Sequence, residues 1–224
     1  MIHPDTELKL AHEGIGYGIF ATNLIPKGTI TWVLDELDFV LTPDMITGLL
    51  PQQIQFIEKY AYIDNKGCYI LSWDIGKYCN HSCKPTTVPI GSICDIAVRD
   101  IQIGEEITCD YGTCNIRRNL MCQCKVEGCR GIVRSIDLMA LMKDIDSEVA
   151  NLIPLVNTVP QPLLRFMIDE HLKRLQSIVS GEVPIPSCIE NAYDDCRERT
   201  CSYSDCEDRS GLWTISPETT HSVR

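Results

Sequence analysis

The spacing of apolar and polar positions changes character twice along this chain. Residues 14–34, "GIGYGIFATNLIPKGTITWVL", place β-branched and aromatic side chains on both sides of Pro26-Lys27-Gly28, which predicts two short strands around a turn. Residues 93–109, "ICDIAVRDIQIGEEITC", repeat the arrangement around Gly104 with one residue fewer in the connection, and read as a second hairpin of similar shape. Between them, Thr42 is placed to cap a short helix, Pro51 to open another, and "CYILSW" predicts a buried strand. After Gly131 the period becomes helical. Leu138, Leu141, Met142, Ile145, Val149, Leu152 and Ile153 share one face. A second helix is predicted over Leu163 to Val179, with Leu164, Met167, Ile168, Leu172, Leu175 and Val179 inward and Gly181 as its stop. Such a helical pair packs on the β-rich body or on a second subunit, so a homodimer through these helices is one expectation.

Composition narrows the class. The chain has 224 residues, 44% of them apolar and 23% charged, enough for one domain with additions. No stretch approaches the roughly 18 apolar residues of a membrane span, and "MIHPDTELKL" is unlike a signal peptide. A protein of the cytoplasm or nucleus, without a membrane partner, is expected. The net charge of −11 disfavours broad contact with phosphate backbones, so no direct nucleic-acid binding is expected. It favours cationic partners such as lysine-rich peptides.

There are thirteen cysteines. Without an export signal, close-set cysteines point to zinc before disulfides. "CQCKVEGC" supplies Cys122, Cys124 and Cys129, three thiolates where tetrahedral zinc takes four ligands. Cys114 lies eight residues upstream, and Cys83 lies in "YCNHSCKPTT", about forty residues upstream; spacing alone decides for neither. Residues 182–224 are rich in Pro, Ser, Cys and acidic side chains and read as a flexible tail. Its Cys188, Cys196, Cys201 and Cys206 lack a CxxC pair, and a second zinc there is the alternative reading.

"GYG" at 16–18, "YCNHSCKPTT" at 78–87, "GEEITCDYG" at 104–112 and "CQCKVEGCRG" at 122–131, in this order, resemble the SET-domain protein lysine methyltransferases with a post-SET zinc motif. The resemblance covers residues 12 to about 133. It implies a mainly β SET fold (a β-clip with a pseudoknot), carrying added helices and a C-terminal helical extension. It implies S-adenosylmethionine as methyl donor and a lysine-containing basic protein as substrate, the lysine entering a narrow channel from the side opposite the donor. Carried over to this sequence, Gly16, Tyr17, Gly18, Asn80 and His81 contact the donor, and Tyr111 is the catalytic tyrosine, also beside the donor. Cys83, Cys122, Cys124 and Cys129 hold a structural zinc.

The residue chemistry suits those roles. Glycines let a backbone approach a ligand, and an adjacent Asn and His offer donors and acceptors to a polar one. Tyr60, Tyr62, Tyr69 and Tyr78 are candidates for channel walls, each with core packing as its plainer reading. Thr86 stands where the family usually has Asn, Lys77-Tyr78 where it has Arg-Phe, and no aromatic residue is evident near Asn115. The expected divisions are 12–116 for the SET domain, 117–133 for the post-SET motif, 136–181 for the helical hairpin and 182–224 for the tail. A zinc-stabilised module that binds lysine peptides without turnover, and a methyltransferase acting on a non-protein amine, are the rival readings.

Overall fold

The computed structural model describes residues 1–12 and 14–193. Its first two strands, β1 (Thr6–His12) and β2 (Gly16–Ala21), form an antiparallel hairpin. β3 (Ile30–Val33) follows the Pro26-Lys27-Gly28 turn. β4 (Phe39–Leu41), α1 (Pro43–Thr47), α2 (Pro51–Tyr60), β5 (Tyr62–Ile63) and β6 (Tyr69–Leu71) form a small unit with sheet order β4-β6-β5. The Thr42 hydroxyl accepts from the Met45 amide and Pro51 is the first residue of α2, as predicted.

The two sequence echoes are not hairpins. β2 does not pair with β3, nor β9 (Cys94–Ala97) with β10 (Glu106–Cys109). Instead the two units pair with each other: β10 runs antiparallel to β2, Ile25 bridges Ile101, and β3 runs antiparallel to β9. Each connection is long enough to cross from one sheet to the next, so like segments close on one another rather than on themselves. One sheet has the order β1-β2-β10-β7 and the other β3-β9-β8, with β7 at Asn80–His81 and β8 at Thr87–Ile90. Ile19, Ile25, Ala97, Ile101 and Ile107 fill the space behind this junction, all essentially inaccessible to solvent.

β7 is parallel to β10, pairing Asn80 with Thr108 and His81 with Cys109. The segment after β7 stays on β10: Ser82 N–H donates to Cys109 O, and the Thr86 and Thr87 hydroxyls both donate to Thr108 O. Residues 79–87 and 106–111 are thereby locked side by side. β11 (Leu120–Met121) and β12 (Ile132–Val133) then pair and close the cysteine-bearing loop between them.

α3 (Asp137–Leu152) buries Leu138, Ile145, Val149 and Leu152, the face read from the sequence. The second helix is shorter than predicted. Residues Leu164–Phe166 form a single 3-10 turn, Met167 and Ile168 are extended, and α4 covers Asp169–Val179. The break has a partner, because Ile168 N–H donates to Leu34 O in the body. Met167, Leu175 and Ile178 join Ile30, Val33, Ile90 and Ile96 in one core cluster, so the helical stripe packs on the β3-β9-β8 sheet of the same chain.

Residues 185–193, expected to belong to a flexible tail, are packed, while 182–184 are exposed. Cys188 and Ala192 are buried, Ser187 Oγ and Cys188 N–H bond Asp146, and Asn191 Nδ2 donates to Gly91 O. Cys188 lies under α3, its Sγ 3.9 Å from Met142 O. Cys196, Cys201 and Cys206 lie outside the described residues. Among the described residues, no helix is long and apolar enough to cross a membrane.

Candidate active site and metal centre

The corner where β2, β7 and β10 meet holds most of the candidate donor residues. Gly16 has φ +96°, a conformation that L side chains avoid, and a Cβ there would face open space. At Gly18 the constraint is spatial: a Cβ would lie 2.2 Å from Glu106 Oε1 and 2.8 Å from Asn80 Nδ2. That gap lets the Asn80 amide span the strands, donating to Tyr17 O at 3.0 Å and to Glu106 Oε1 at 2.7 Å. With both N–H groups directed inward, the Asn80 carbonyl oxygen has no hydrogen-bond partner among the described residues. It and the Glu106 carboxylate are acceptors suited to a ligand's ammonium group. Glu106 was not singled out in the sequence, although "GEE" is part of a quoted motif.

One residue before Asn80, the Cys79 main-chain carbonyl accepts from the Tyr111 hydroxyl at 2.8 Å. Tyr111 sits in a short 3-10 turn, Tyr111–Thr113, that Asp110 caps by accepting from Gly112 N–H at 2.9 Å. Burial, with the neighbouring Cys109, Cys79 and Cys114 adding, pushes the Tyr111 phenol well above its usual range, so it stays protonated. Its proton is given to Cys79 O, which leaves the oxygen lone pairs as acceptors. Next to it, Tyr78 packs edge-on against Tyr17 at 6.3 Å and Tyr60 at 5.3 Å between ring centres. Of the four tyrosines considered as channel walls, Tyr60 and Tyr78 therefore share one aromatic row. Tyr62 packs edge-on against Trp32, and Tyr69 is buried in the core beneath α2.

His81 is turned away from that corner. Its Nδ1 accepts from Tyr111 N–H at 3.2 Å, and its Nε2 is 3.3 Å from Cys83 Sγ. Burial lowers its pKa, so the ring is neutral, and an accepting Nδ1 leaves the proton on Nε2, donated to sulfur. Contact between His81 and a bound donor is then left to its main chain.

The structure brings Cys83 to the later cysteine loop and leaves Cys114 out of it. Cys83 Sγ is 3.7 Å from Cys122 Sγ, Cys122 Sγ is 3.2 Å from Cys124 Sγ, and the Cys129 thiol contacts both loop partners. Cys114 instead lies against Cys109, with Sγ 3.8 Å from Asp110 O. The ligand atoms of His81, Cys83, Cys122 and Cys124 all lie within 4.8 Å of one another. These four form one set that could hold a metal, and exchanging His81 for Cys129 gives the four-thiol set named from the sequence. Thiolates about 2.3 Å from a tetrahedral zinc stand about 3.8 Å apart, close to the Cys83–Cys122 separation. Main-chain N–H groups already aim at sulfur: Arg130 at Cys83, Cys124 at Cys122 and Gly131 at Cys129, at 3.4–3.5 Å. Burial raises Cys124, but N–H groups of Cys83 and Val126 and the thiols of Cys122 and Cys129 outweigh it and bring its pKa to about 7. The donor set fits a structural zinc.

The sequence pattern of the SET domain matches residues 16–112, so this part of the chain is a SET domain. It is 30% identical over 186 residues to the "Variant-silencing SET domain-containing protein" of Plasmodium falciparum (isolate 3D7), covering 72% of this chain. Two proteins of Caenorhabditis briggsae are also similar. "Histone-lysine N-methyltransferase Suv4-20" is 39% identical over 37% of this chain, and "Probable histone-lysine N-methyltransferase set-23" is 37% identical over 39% of it. The chain spans 7%, 26% and 39% of the lengths of these three relatives. The solved methyltransferase domain of human "Histone-lysine N-methyltransferase SETMAR" overlaps 60% of this chain and 58% of its own at 19% identity and a TM-score of 0.42, too slight a likeness to add to the assignment.

Proposed function

We propose that this chain is an S-adenosylmethionine-dependent protein-lysine N-methyltransferase acting on a basic protein. The observation that carries the reading is the adjacency of Cys79 and Asn80. The first anchors the Tyr111 hydroxyl and the second presents, beside Gly18 and Glu106, an acceptor that has no partner among the described residues. A donor site and a candidate catalytic hydroxyl are thereby held on consecutive residues of one segment. The two relatives named as histone-lysine methyltransferases point to the same chemistry.

When bound, S-adenosylmethionine supplies an electrophilic methyl on a sulfonium sulfur. Asn80 Oδ1 and Glu106 would hold the ammonium end of the donor, and Gly16, with no Cβ, would let the backbone lie close to it. Tyr111 O, its proton committed to Cys79, offers lone pairs to the positively polarised methyl and orients the incoming amine. The lysine ammonium must first lose a proton to water, because its ordinary pKa is about 10.4. The aromatic row of Tyr17, Tyr60 and Tyr78 offers rings against which a lysine side chain can pack on its way to the corner. Together these residues would align the neutral amine with the methyl that the donor supplies. Most of the acceleration comes from alignment.

In this reading Cys83, Cys122, Cys124 and Cys129 hold one zinc that fixes the loop between β11 and β12 against the segment after β7. Incubation of the purified chain with tritiated donor and a panel of basic proteins, followed by mass spectrometry, tests the assignment. Label on lysine supports it. Donor binding without label on any protein favours the peptide-binding module, and label on a small amine alone favours the non-protein substrate.

A further inference from the structure

We propose that Arg130 is a positioning residue that couples the cysteine loop to the turn carrying Tyr111. Its effect on turnover rests on the methyltransferase reading; the coupling itself does not. Arg130 is held at both ends. Its main-chain N–H donates to Cys83 Sγ at 3.5 Å, inside the thiol cluster. Its guanidinium Nη2 donates to Asp110 Oδ1 at 2.6 Å, and the same oxygen accepts from Gly112 N–H at 2.9 Å. Asp110 is only 6% exposed. One carboxylate oxygen thus joins the loop to the cap of the Tyr111–Thr113 turn.

The arrangement has a direction. Asp110 caps the turn locally through Gly112 N–H, and Thr113 N–H donates to Asp110 O at 2.9 Å, so the turn forms without Arg130. Arg130 neutralises a carboxylate that is otherwise buried with one N–H for company, which fixes where the turn sits and makes its opening rarer. A second path is parallel to it: Cys83 Sγ meets His81 Nε2, and His81 Nδ1 accepts from Tyr111 N–H. Both paths start at Cys83 or its neighbour and end within one residue of Tyr111. Arg130 Nε also lies 3.7 Å from Asp137 Oδ2, at the first turn of α3, so the loop, the turn and the helix meet at one side chain.

The test compares amide hydrogen exchange of Gly112 and Thr113 in the zinc-loaded protein and after chelation, in wild type, Arg130→Ala and Arg130→Lys. In wild type, chelation speeds exchange about tenfold or more. Loaded Arg130→Ala keeps one zinc per chain, already exchanges at the fast rate, and responds to chelation less than about twofold. Arg130→Lys, which keeps the charge and loses the fork, falls between them. In methyl transfer, Arg130→Ala lowers kcat about tenfold or more with the donor KM unchanged. Equal chelation responses in wild type and Arg130→Ala, a wild type that binds no zinc, or a kcat unchanged by Arg130→Ala would each overturn the proposal. A wild type that transfers no methyl yet shows the exchange coupling refutes the methyltransferase reading and leaves the coupling standing.

Discussion

The Tyr111 hydroxyl and the Cys79 carbonyl meet at 2.8 Å across 32 residues of sequence. This one bond orients a phenol that burial keeps protonated, and it does so with the residue adjoining Asn80. The candidate donor corner and the candidate catalytic group therefore move as one rigid piece, held by the parallel pairing of β7 and β10.

The donor corner depends on the missing Cβ at Gly18. Gly18→Ala places a methyl within 2.2 Å of Glu106 Oε1 and 2.8 Å of Asn80 Nδ2, and both side chains must shift. We expect affinity for S-adenosylmethionine, by calorimetry, to fall about tenfold or more, equivalent to at least about 1.4 kcal/mol. Asn80→Ala should do the same while leaving Glu106 in place. Unchanged affinity in both variants removes this corner from the donor site.

The metal assignment separates two cysteines cleanly. Cys83→Ser should lose most bound zinc, since thiolate ligation is coupled to the order of the loop, while the β-sheet core stays folded by circular dichroism. Cys114→Ser should keep full zinc, because its sulfur lies against Cys109 and Asp110 O. Zinc per chain by atomic absorption in a chain ending just after Tyr193, which keeps the packed segment 185–193, reads both. The opposite result would assign the fourth ligand to Cys114.

How much of this was legible beforehand follows distance along the chain. Gly16, Gly18, Asn80, Tyr111, Cys122, Cys124 and Cys129 stand in short motifs, so local reading singles them out as candidates, whereas spacing left Cys83 and Cys114 level and only the fold brings Cys83 to the loop. Pairing is not local: the echoes at 14–34 and 93–109 carry equivalent strand signals for hairpins and for cross-pairing, and only the sheets distinguish the two. β1 was missed although "TELKLAH" alternates, because its partner β2 supplies the order. The end of the described chain misled for a related reason. A composition rich in Pro, Ser and acid reads as tail, yet Asn191 and Tyr193 find partners more than seventy residues away.

Those partners converge on Asn115, a buried residue with φ +52°. Its Nδ2 donates to Ile63 O and Asn191 O, and its Oδ1 accepts from Tyr193 N–H. Asn115→Ala removes these bonds and leaves a left-handed Ala. We expect about 2–4 kcal/mol of lost stability by urea denaturation. Asn115→Gly should be milder, since it relieves the backbone conformation. Equal losses would show that the side-chain bonds alone matter.

Asp95, on β9, has its carboxyl raised to about 6 by burial. The unfolded carboxyl titrates near 3.8, so between about pH 4 and 6 the folded chain keeps a proton that the unfolded chain has released. Its contribution is therefore fully favourable below about pH 4 and is lost as pH rises through 6. Asp95→Asn should be more stable than wild type by up to about 3 kcal/mol well above pH 6, with the difference shrinking toward pH 4. Urea midpoints of both proteins at pH 4.5, 6 and 7.5 check it, and a constant difference would contradict the shift.

The central claim is tested most directly by Tyr111→Phe, which deletes one oxygen and keeps the ring packed near His81. Methyl transfer to lysine, read by mass spectrometry under single-turnover conditions, should fall about a hundredfold or more, as for loss of one group that stabilises a transition state. Donor affinity measured on the same sample should change less than about threefold. A variant that binds donor normally and methylates lysine at near the wild-type rate would contradict the account.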